Sequence, residues 1–413
     1  MSLGFFTWLA AARLYPASQV GIAASAISAM MLCIEAGLLG VDMALIALFP
    51  QHRRSPTALL DTALTLAAIA ACASSLAFVA LAAIGFHALH VLASNPVDAL
   101  LFVALTVLGA IWWVIDQAAV SLRRSEQVLV RALVAGAVTL AGVVGLGAAG
   151  FATAGAILAA WVAATVAACL IGVRQISRAT GGYRFRPRLV RSLRRRLLSV
   201  GLPNFALSVA DNAPPLVLPI IAAEALSPRF AAYWYSLWMM AFVAYTVPGS
   251  FGLHLFAEIS DDPFELAQHS RHQLRSGIAV AAVATAGLVA LGPFVLAILG
   301  PAYASHGSGP LRLVALAAVP MVVWKSYLYT CRAMGRTREG TLAAGIIGVS
   351  AVGLAVAAAG PSGLLGMAGA WLTVQVLAAL AATIRLRTLH ARAPRPAETS
   401  GPPFGTPERA TAQ

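Results

Sequence analysis

The stretch YRFRPRLVRSLRRRLLSVGLPN, residues 183–204, decides how the chain is organised. Seven arginines occupy its first fourteen positions, and the sequence then becomes apolar without a break. Leu189, Leu193 and Leu197 recur at every fourth position, a spacing that predicts a helix lying on a membrane surface. The stretch therefore predicts the point at which a surface helix continues into a transmembrane helix.

The composition of the whole chain supports a membrane protein. Of its 413 residues, 60% are hydrophobic and only 10% are charged. A water-soluble domain carries about 25% charged residues, so the surroundings of most of this chain must be apolar. We predict an all-α polytopic membrane protein.

Apolar stretches of roughly twenty residues, the length that a helix needs to cross a bilayer, recur along the chain. We predict twelve transmembrane helices, at 1–13, 20–49, 57–86, 97–122, 128–147, 152–173, 197–223, 229–257, 275–299, 311–333, 341–359 and 364–386. The first is too short to cross about 30 Å of hydrocarbon, and we expect it to be the truncated end of a longer helix.

The arginine-rich stretch follows the sixth predicted helix and therefore separates two halves. The predicted parts are an N-terminal six-helix bundle at 1–173, a basic cytoplasmic linker at 174–196, a C-terminal six-helix bundle at 197–387 and a disordered cytoplasmic tail at 388–413.

The basic residues predict the orientation of the chain. Alternate loops and the C-terminal tail hold 24 of the 28, and the others are Arg13, Arg229, Arg312 and Lys325. By the positive-inside rule, we expect a multi-pass protein of the cytoplasmic membrane with its C-terminus in the cytoplasm. We expect the arginines to set this topology and to attract lipid headgroups. Nucleic acid is excluded as a partner, because no extramembrane domain is predicted that would present the arginines to it.

The sequence also argues against an enzyme and against a metal protein. It contains none of the motifs GxSxG, HExxH or Walker A, and its loops are too short for a catalytic domain. Cys33, Cys72, Cys169 and Cys331 lie apart, without the spacing of a zinc site. No cofactor or metal is predicted.

Ionisable side chains within apolar spans are costly, and they mark candidate functional positions. Lys325 lies in the tenth predicted helix, close to three aromatic residues, Trp324, Tyr327 and Tyr329. The acidic candidates are Glu35 and Asp42, seven positions apart on the second helix, Asp116 on the fourth, and Asp211 on the seventh. The alternative for each is a pairing between helices or a side chain that extends to the interface. Interface anchoring is the stronger alternative for Arg13 and Arg312, which lie near helix ends.

Three segments carry a resemblance to a known family. ARLYPASQVGIAASAISAMMLCIEAGLLGVDMALIALFP (12–50), LRRRLLSVGLPNFALSVAD (193–211) and LAILGPAYASHGSGPLRLVALAAVP (296–320) resemble polysaccharide and O-antigen flippases of the multidrug/oligosaccharidyl-lipid/polysaccharide exporter superfamily. The chain departs from that pattern in its late first helix and in Gly40-Val41-Asp42, where the family more often has Gly-Leu-Asp.

The resemblance implies a V-shaped pair of six-helix bundles around a cavity that opens to each side of the membrane in turn. It implies a polyprenyl diphosphate-linked glycan as substrate, for cell-surface polysaccharide biosynthesis, with a polymerase and glycosyltransferases as further partners. The expected cations for the phosphates are Lys325, Arg312 and Arg13. The expected aromatic contacts for sugars include Trp324, Tyr327, Tyr329 and Trp238, and the expected ion-coupling residues are Asp42, Asp116, Asp211 and Glu35.

Two other functions stay open at the level of sequence. One is a cation-coupled multidrug exporter of the same superfamily, which favours acidic groups in the cavity. The other is a scaffold for cell-wall assembly, which transports nothing and tolerates the loss of every buried charge. A flippase favours basic groups instead, and the chain places both basic and acidic groups in its spans, so the charges alone do not choose between a flippase and a drug exporter.

Overall fold

The computed structural model describes residues 2–52, 56–261 and 266–392, and every regular element within these ranges is a helix. The α-helices are α1, Ser2–Leu14; α2, Ala17–Leu38; α3, Val41–Leu48; α4, Thr57–Gly85; α5, Val91–Ser94; α6, Pro96–Ser121; α7, Ser125–Ala148; α8, Ala154–Ala179; α9, Arg191–Ala225; α10, Pro228–Asp261; α11, Leu266–Leu299; α12, Pro301–Leu316; α13, Ala318–Ala333; and α14, Thr337–Arg392. Short 3₁₀ turns cover Phe49–His52 and Ala88–His90.

Nine helical segments of the described chain are long and apolar enough to cross a membrane. One of them, Thr337–Leu389, contains two predicted helices, and another, Pro301–Ala333, joins α12 to α13. The prediction of an all-α polytopic membrane protein is confirmed. The predicted cytoplasmic tail lies outside the described residues from position 393 onward.

The second predicted helix, 20–49, is interrupted. Leu39 and Gly40 both have left-handed backbone angles, which end α2 at Leu38 and start α3 at Val41. Glu35 and Asp42 therefore lie on two helices, and the prediction that both lie on one helix is wrong.

The tenth predicted helix also differs from the structure. The segment 301–310, which lies between the ninth and tenth predicted helices, is helical and belongs to α12. The helix breaks at Ala317, because Pro320 lacks the N–H that would bond to the carbonyl of Leu316 in a continuous α-helix.

The long helix α14 reverses direction in its middle. Gly363 has a φ of 57° and a ψ of −144°, outside the helical region, and it separates two arms that match the last two predicted spans. The arms pack so closely that a Cβ on Gly366 would lie 2.5 Å from the carbonyl oxygen of Ala358. Small residues allow such close packing of helices in a membrane.

The helices form two groups that meet around α2, α9 and α10. Within α1–α8, α7 packs on α1 and α8, and α6 packs on α4 and α8. Within α9–α14, α9 packs on α14 and α10 packs on α11 and α13. Between the groups, α2 contacts both α9 and α10, and α3 contacts α9. We call α1–α8 the N-terminal half and α9–α14 the C-terminal half.

The connection between the halves is fixed to the N-terminal half. After α8, Gly181 and Gly182 adopt left-handed angles, and the chain turns back in an irregular segment from 183 to 190. The buried carboxylate of Asp61 on α4 accepts hydrogen bonds from the Tyr183 hydroxyl at 2.7 Å and the Arg186 amide at 3.1 Å. Burial, together with this carboxylate, raises the pKa of the Tyr183 phenol well above its usual value, so the hydroxyl stays a donor. We call residues 183–190 the strap.

Candidate functional site

A cavity of about 360 Å³ lies between the two halves. The N-terminal half contributes α2 and α6, and the C-terminal half contributes α9, α10, α13 and α14. Its polar and charged lining residues are Glu35, Asp211, Asn212, Lys325 and Gln375, and its lining indole and phenol side chains are Trp113, Trp238, Tyr245, Trp324 and Trp371. The cavity is thus an aromatic chamber with a few charges.

Lys325 and Asp211 form an ion pair inside the cavity. The ammonium nitrogen of Lys325 on α13 lies 2.6 Å from a carboxylate oxygen of Asp211 on α9, and the exposed fractions of the two side chains are 17% and 14%. Each charge offsets part of the desolvation cost of the other. Lys325 is the only basic residue that lines the cavity within the described chain.

The local sequence of α9 makes its wall of the cavity unusually polar. In a regular α-helix, the N–H groups of residues 214 and 215 would bond to the carbonyls of Ala210 and Asp211, but both positions are proline. The neighbouring Asn212 donates from its side-chain amide to the carboxylate of Glu35 on α2, at 3.1 Å. Glu35 and Asn212 therefore link the two halves across the cavity.

Aromatic side chains of α10, α13 and α14 form a connected wall. The ring centroid of Trp238 lies 5.2 Å from that of Trp371 and 5.3 Å from that of Tyr245, both edge to face. The indole N–H of Trp371 donates to the Tyr245 hydroxyl at 3.0 Å, and that hydroxyl donates to the Val314 carbonyl at 2.5 Å. These contacts hold the rings in fixed orientations.

Five of the predicted site residues line this cavity. They are Lys325, Trp324, Trp238, Asp211 and Glu35. Trp113 and Trp371 also line the cavity but were not among the predicted site residues, because each lies in a long apolar span with no charged residue directly beside it. Only their distance from the helix ends, where tryptophan usually lies, could have marked them.

The other predicted substrate contacts lie elsewhere in the structure. Arg13 donates to the backbone carbonyl of Ile298 on α11, and Arg312 is exposed on α12. Tyr327 donates to Glu339 at 3.1 Å, and the Tyr329 ring lies under the guanidinium of Arg332, 5.5 Å from ring centroid to Cζ. None of the four lines the cavity in this structure.

Two predicted acidic residues lie close to the cavity without lining it. Asp42 lines a small neighbouring cavity together with Glu35 and Ser208. Asp116 on α6 forms an ion pair at 2.5 Å with Arg131 on α7, whose guanidinium also donates to Gln175 on α8. Ion coupling through these residues stays a prediction, and the pair gives Asp116 an evident structural role.

The charge pair in the N-terminal half predicts a stability effect. The Arg131 side chain has no exposed surface, so Asp116→Ala would leave a buried guanidinium without its counter-charge. Losing one partner of a buried pair costs roughly 3 kcal/mol or more. We expect a fall of several degrees in the melting temperature of the purified protein, largely reversed by adding Arg131→Met. Asp116→Ala with an unchanged melting temperature would contradict the structural role.

The halves also contact each other on both sides of the cavity. Towards the loop between α1 and α2, a Cβ on Gly21 would lie 1.6 Å from the Pro228 carbonyl oxygen, and the Ser25 hydroxyl donates to the Pro219 carbonyl at 3.1 Å. Towards the strap, a Cβ on Gly201 would lie 2.6 Å from the Gly40 carbonyl oxygen. We call these contacts the first closure and the second closure.

A carboxylate strengthens the first closure. Glu224, at the end of α9, accepts hydrogen bonds from the backbone amides of His87, Ala88 and Leu89, at 2.7, 3.2 and 3.1 Å. These amides belong to the N-terminal half, so a single side chain satisfies three donors across the interface. The cavity therefore lies between two sets of contacts. An opening on one side requires only the contacts on that side to break.

Comparison of the sequence with family models and with curated proteins finds no match. Solved structures do match. An inward-facing multidrug resistance MATE family transporter of the MOP superfamily has 14% sequence identity, with 94% of each chain covered and a TM-score of 0.70. The lipid II flippase MurJ in an inward closed conformation has 14% identity, with 93% of this chain and 85% of that chain covered and a TM-score of 0.75. A MOP superfamily transporter from Pyrococcus furiosus has 13% identity, with 94% and 91% covered and a TM-score of 0.61.

These likenesses extend over nearly the whole chain at an identity too low to carry substrate or mechanism. They agree with the arrangement of two helical halves around a cavity. The chain has the fold of MOP-superfamily transporters.

Proposed function

We propose that the protein moves a lipid-linked oligosaccharide or polysaccharide precursor across the cytoplasmic membrane by alternating access, for cell-surface polysaccharide biosynthesis. The observation that carries the proposal is the cavity between the halves, where one lysine lies among four tryptophans. A polyprenyl diphosphate-linked glycan combines sugars with a negatively charged diphosphate, and neither part crosses hydrocarbon without help.

The aromatic wall supplies the surface for the sugars. Sugar rings have apolar faces that pack on aromatic rings, and hydroxyl edges that need hydrogen-bond partners. Trp238 and Trp371 provide such rings, while Asn212 and Gln375 provide amide groups in the same cavity. The carbonyls freed by the α9 prolines add acceptors for the hydroxyl groups.

Lys325 supplies the cation for the diphosphate. In the structure its ammonium is bonded to Asp211, which keeps the charge neutralised while no substrate is bound. A diphosphate entering the cavity would compete with Asp211 for the ammonium. The MurJ structure, described as a lipid II flippase, shares this fold, so the fold is compatible with a lipid-linked substrate.

A specific observation favours a second candidate, multidrug export. The cavity is lined by two carboxylates, Glu35 and Asp211, but by only one lysine within the described chain. Aromatic rings also attract organic cations. A cation-coupled exporter would use the same chamber for an aromatic cation. The third candidate, a scaffold without transport, requires that cavity variants keep full function in cells.

Transport in proteoliposomes tests the proposal. The purified chain is reconstituted with a polyprenyl diphosphate-linked oligosaccharide, and an added glycosidase reports how much substrate lies in the outer leaflet. We expect the protein to bring the inner-leaflet pool within reach of the enzyme, while liposomes without protein keep that pool protected. An inner pool that stays protected, in vesicles that do accumulate an aromatic cation, would replace this proposal with multidrug export.

A further inference from the structure

A basic groove lies outside the central cavity, where α8 meets the strap. Its volume is about 460 Å³, and Arg174, Arg178 and Arg184 line it together with Ser177 and Phe185. Arg174 and Arg178 belong to the last turns of α8, and Arg184 comes from the strap that folds back beside them. Three positive charges thus share one concave surface.

The groove is held in shape by the N-terminal half. Its wall residue Tyr183 is buried and bonded to Asp61, and the amide of Arg188 donates to the Thr65 hydroxyl at 3.2 Å. These bonds fix the strap to α4, and the left-handed angles of Gly181 and Gly182 set the turn that precedes it. The position of Arg184 relative to α8 is therefore fixed by the backbone.

The three guanidinium groups have no counter-charge in the part of the protein that the structure describes. Among the residues that the structure describes, none of them has a carboxylate or another hydrogen-bond acceptor as a partner. The mutual repulsion of three cations around one groove is relieved by bringing in an anion, and guanidinium groups bind phosphate oxygens in a bidentate manner. The groove thus has the charge and the donors of a phosphate site.

The surface next to the groove is suited to an acyl chain. Val166 and Leu170 precede Arg174 and Arg178 at four-residue intervals on α8, so the four side chains follow one side of the helix. Val166 is 37% exposed and Leu170 is 64% exposed, which makes an apolar strip that leads from the membrane span to the arginines. A ligand that matches both parts has a hydrocarbon tail and an anionic head.

We propose that this groove binds an anionic phospholipid of the surrounding bilayer. The phosphate lies between Arg174, Arg178 and Arg184, the Ser177 hydroxyl donates to it, and an acyl chain lies along Leu170 and Val166. The ends of transmembrane helices lie at the level of the headgroups, and basic residues there attract anionic lipid. The site is independent of the transported substrate, because none of its residues lines the central cavity.

Native mass spectrometry of the full-length protein in neutral detergent tests the site. Phosphatidylglycerol and phosphatidylcholine are titrated separately, and we expect one phosphatidylglycerol to bind much more tightly than phosphatidylcholine. Each arginine contact contributes about 5-fold, so the triple variant R174Q/R178Q/R184Q should bind that lipid roughly 100-fold more weakly. The triple lysine variant at the same positions, which keeps the charge, should retain most of the affinity.

A matched control separates the site from general attraction to charge. The variant R191Q/R194Q/R195Q removes the same charge from the start of α9, next to the strap, and should keep the tight site. Equal losses in the two triple variants would overturn the proposal, as would equal binding of both lipids to the wild type. If the first triple variant does not fold, the single change Arg178→Gln must still lower the affinity about 5-fold.

A final arm distinguishes a lipid from a free anion. Millimolar inorganic phosphate should leave phosphatidylglycerol bound, because it makes no contact with the apolar strip. Displacement of the lipid by phosphate, with phosphate bound as tightly in its place, would show that the groove takes a free anion and would overturn the lipid assignment.

Discussion

Lys325→Gln is expected to abolish transport of the lipid-linked substrate and to leave the protein in the membrane at its normal level. Lys325 is the only basic side chain lining the cavity in the described part of the chain, so no other group there replaces its charge. A hydrogen bond between charged groups contributes about 1.5–3 kcal/mol, which corresponds to a loss of roughly 10- to 150-fold in affinity for the diphosphate. Lys325→Arg keeps the charge and should keep partial activity.

The ion pair with Asp211 makes a second variant necessary. Lys325→Gln alone leaves the Asp211 carboxylate without its partner at 2.6 Å, and that change by itself destabilises the cavity. In Lys325→Gln/Asp211→Asn, neither charge is left unpaired, so we expect the melting temperature to recover while transport stays absent. The measurement is glycosidase access in proteoliposomes, together with the melting temperature of each variant.

The double variant also shows which role of Lys325 is correct. Wild-type transport by Lys325→Gln/Asp211→Asn would mean that the lysine serves only to balance Asp211, and the phosphate-binding role would be wrong. If the protein exports cations instead, the effects on transport should be reversed. Loss of the Asp211 or Glu35 carboxylate would then reduce transport more than loss of the Lys325 ammonium.

Gly21→Val and Gly201→Val are expected to stop transport with the cavity open to opposite sides. A side chain at Gly21 would collide with the Pro228 carbonyl, at 1.6 Å for its first carbon, and this prevents the first closure. A side chain at Gly201 would lie 2.6 Å from the Gly40 carbonyl oxygen and prevents the second closure. Backbone atoms have little freedom to move away. The two halves must therefore separate at the first closure in Gly21→Val and at the second closure in Gly201→Val.

Cysteine labelling measures which side is open. Ala210 lines the cavity and is half-buried, so Ala210→Cys is introduced into a protein whose four native cysteines are replaced by alanine. An impermeant thiol reagent applied from one side of the membrane should label this cysteine in Gly21→Val, and from the other side in Gly201→Val. Gly145→Val is the control, because no atom beyond the neighbouring backbone of its own helix lies within 4 Å of the position of its Cβ, and we expect it to behave as the wild type. Identical labelling of both variants from both sides would contradict the two closures.

The sequence predicted the helices far better than it predicted the interruptions of helices. Long apolar runs are a strong signal, and the spans were recovered from them even where Gly363 divides one continuous helical segment. The break at Leu39–Gly40 gives no such signal, because the residues on both sides are apolar and the left-handed angles accompany a backbone contact with Gly201 on a distant helix. Such a contact depends on the packing of the two halves, which no local pattern encodes.

The candidate site was predictable in part for a similar reason. Charges in apolar spans stand out, and Lys325, Asp211 and Glu35 were found in this way. The pairing of Lys325 with Asp211 joins positions 114 residues apart, so it could be identified only from the structure. Arg13 and Arg312 are equally conspicuous in the sequence, but helix packing places them away from the cavity.

The strap has a mechanical consequence for how the cavity opens. The amide of Val190, its last residue, donates to the Thr62 hydroxyl at 3.4 Å, and α9 begins at the next residue, Arg191. The strap therefore cannot extend at its α9 end. The first turn of α9 must move together with α4 when the halves separate. The remaining displacement has to be absorbed within α9 itself, where Pro203, Pro214, Pro215 and Pro219 interrupt the ladder of helical hydrogen bonds. Under the proposed alternating access, the element that bends would be a wall of the cavity, so each opening would change the shape of the surface on which Asp211 and Asn212 lie.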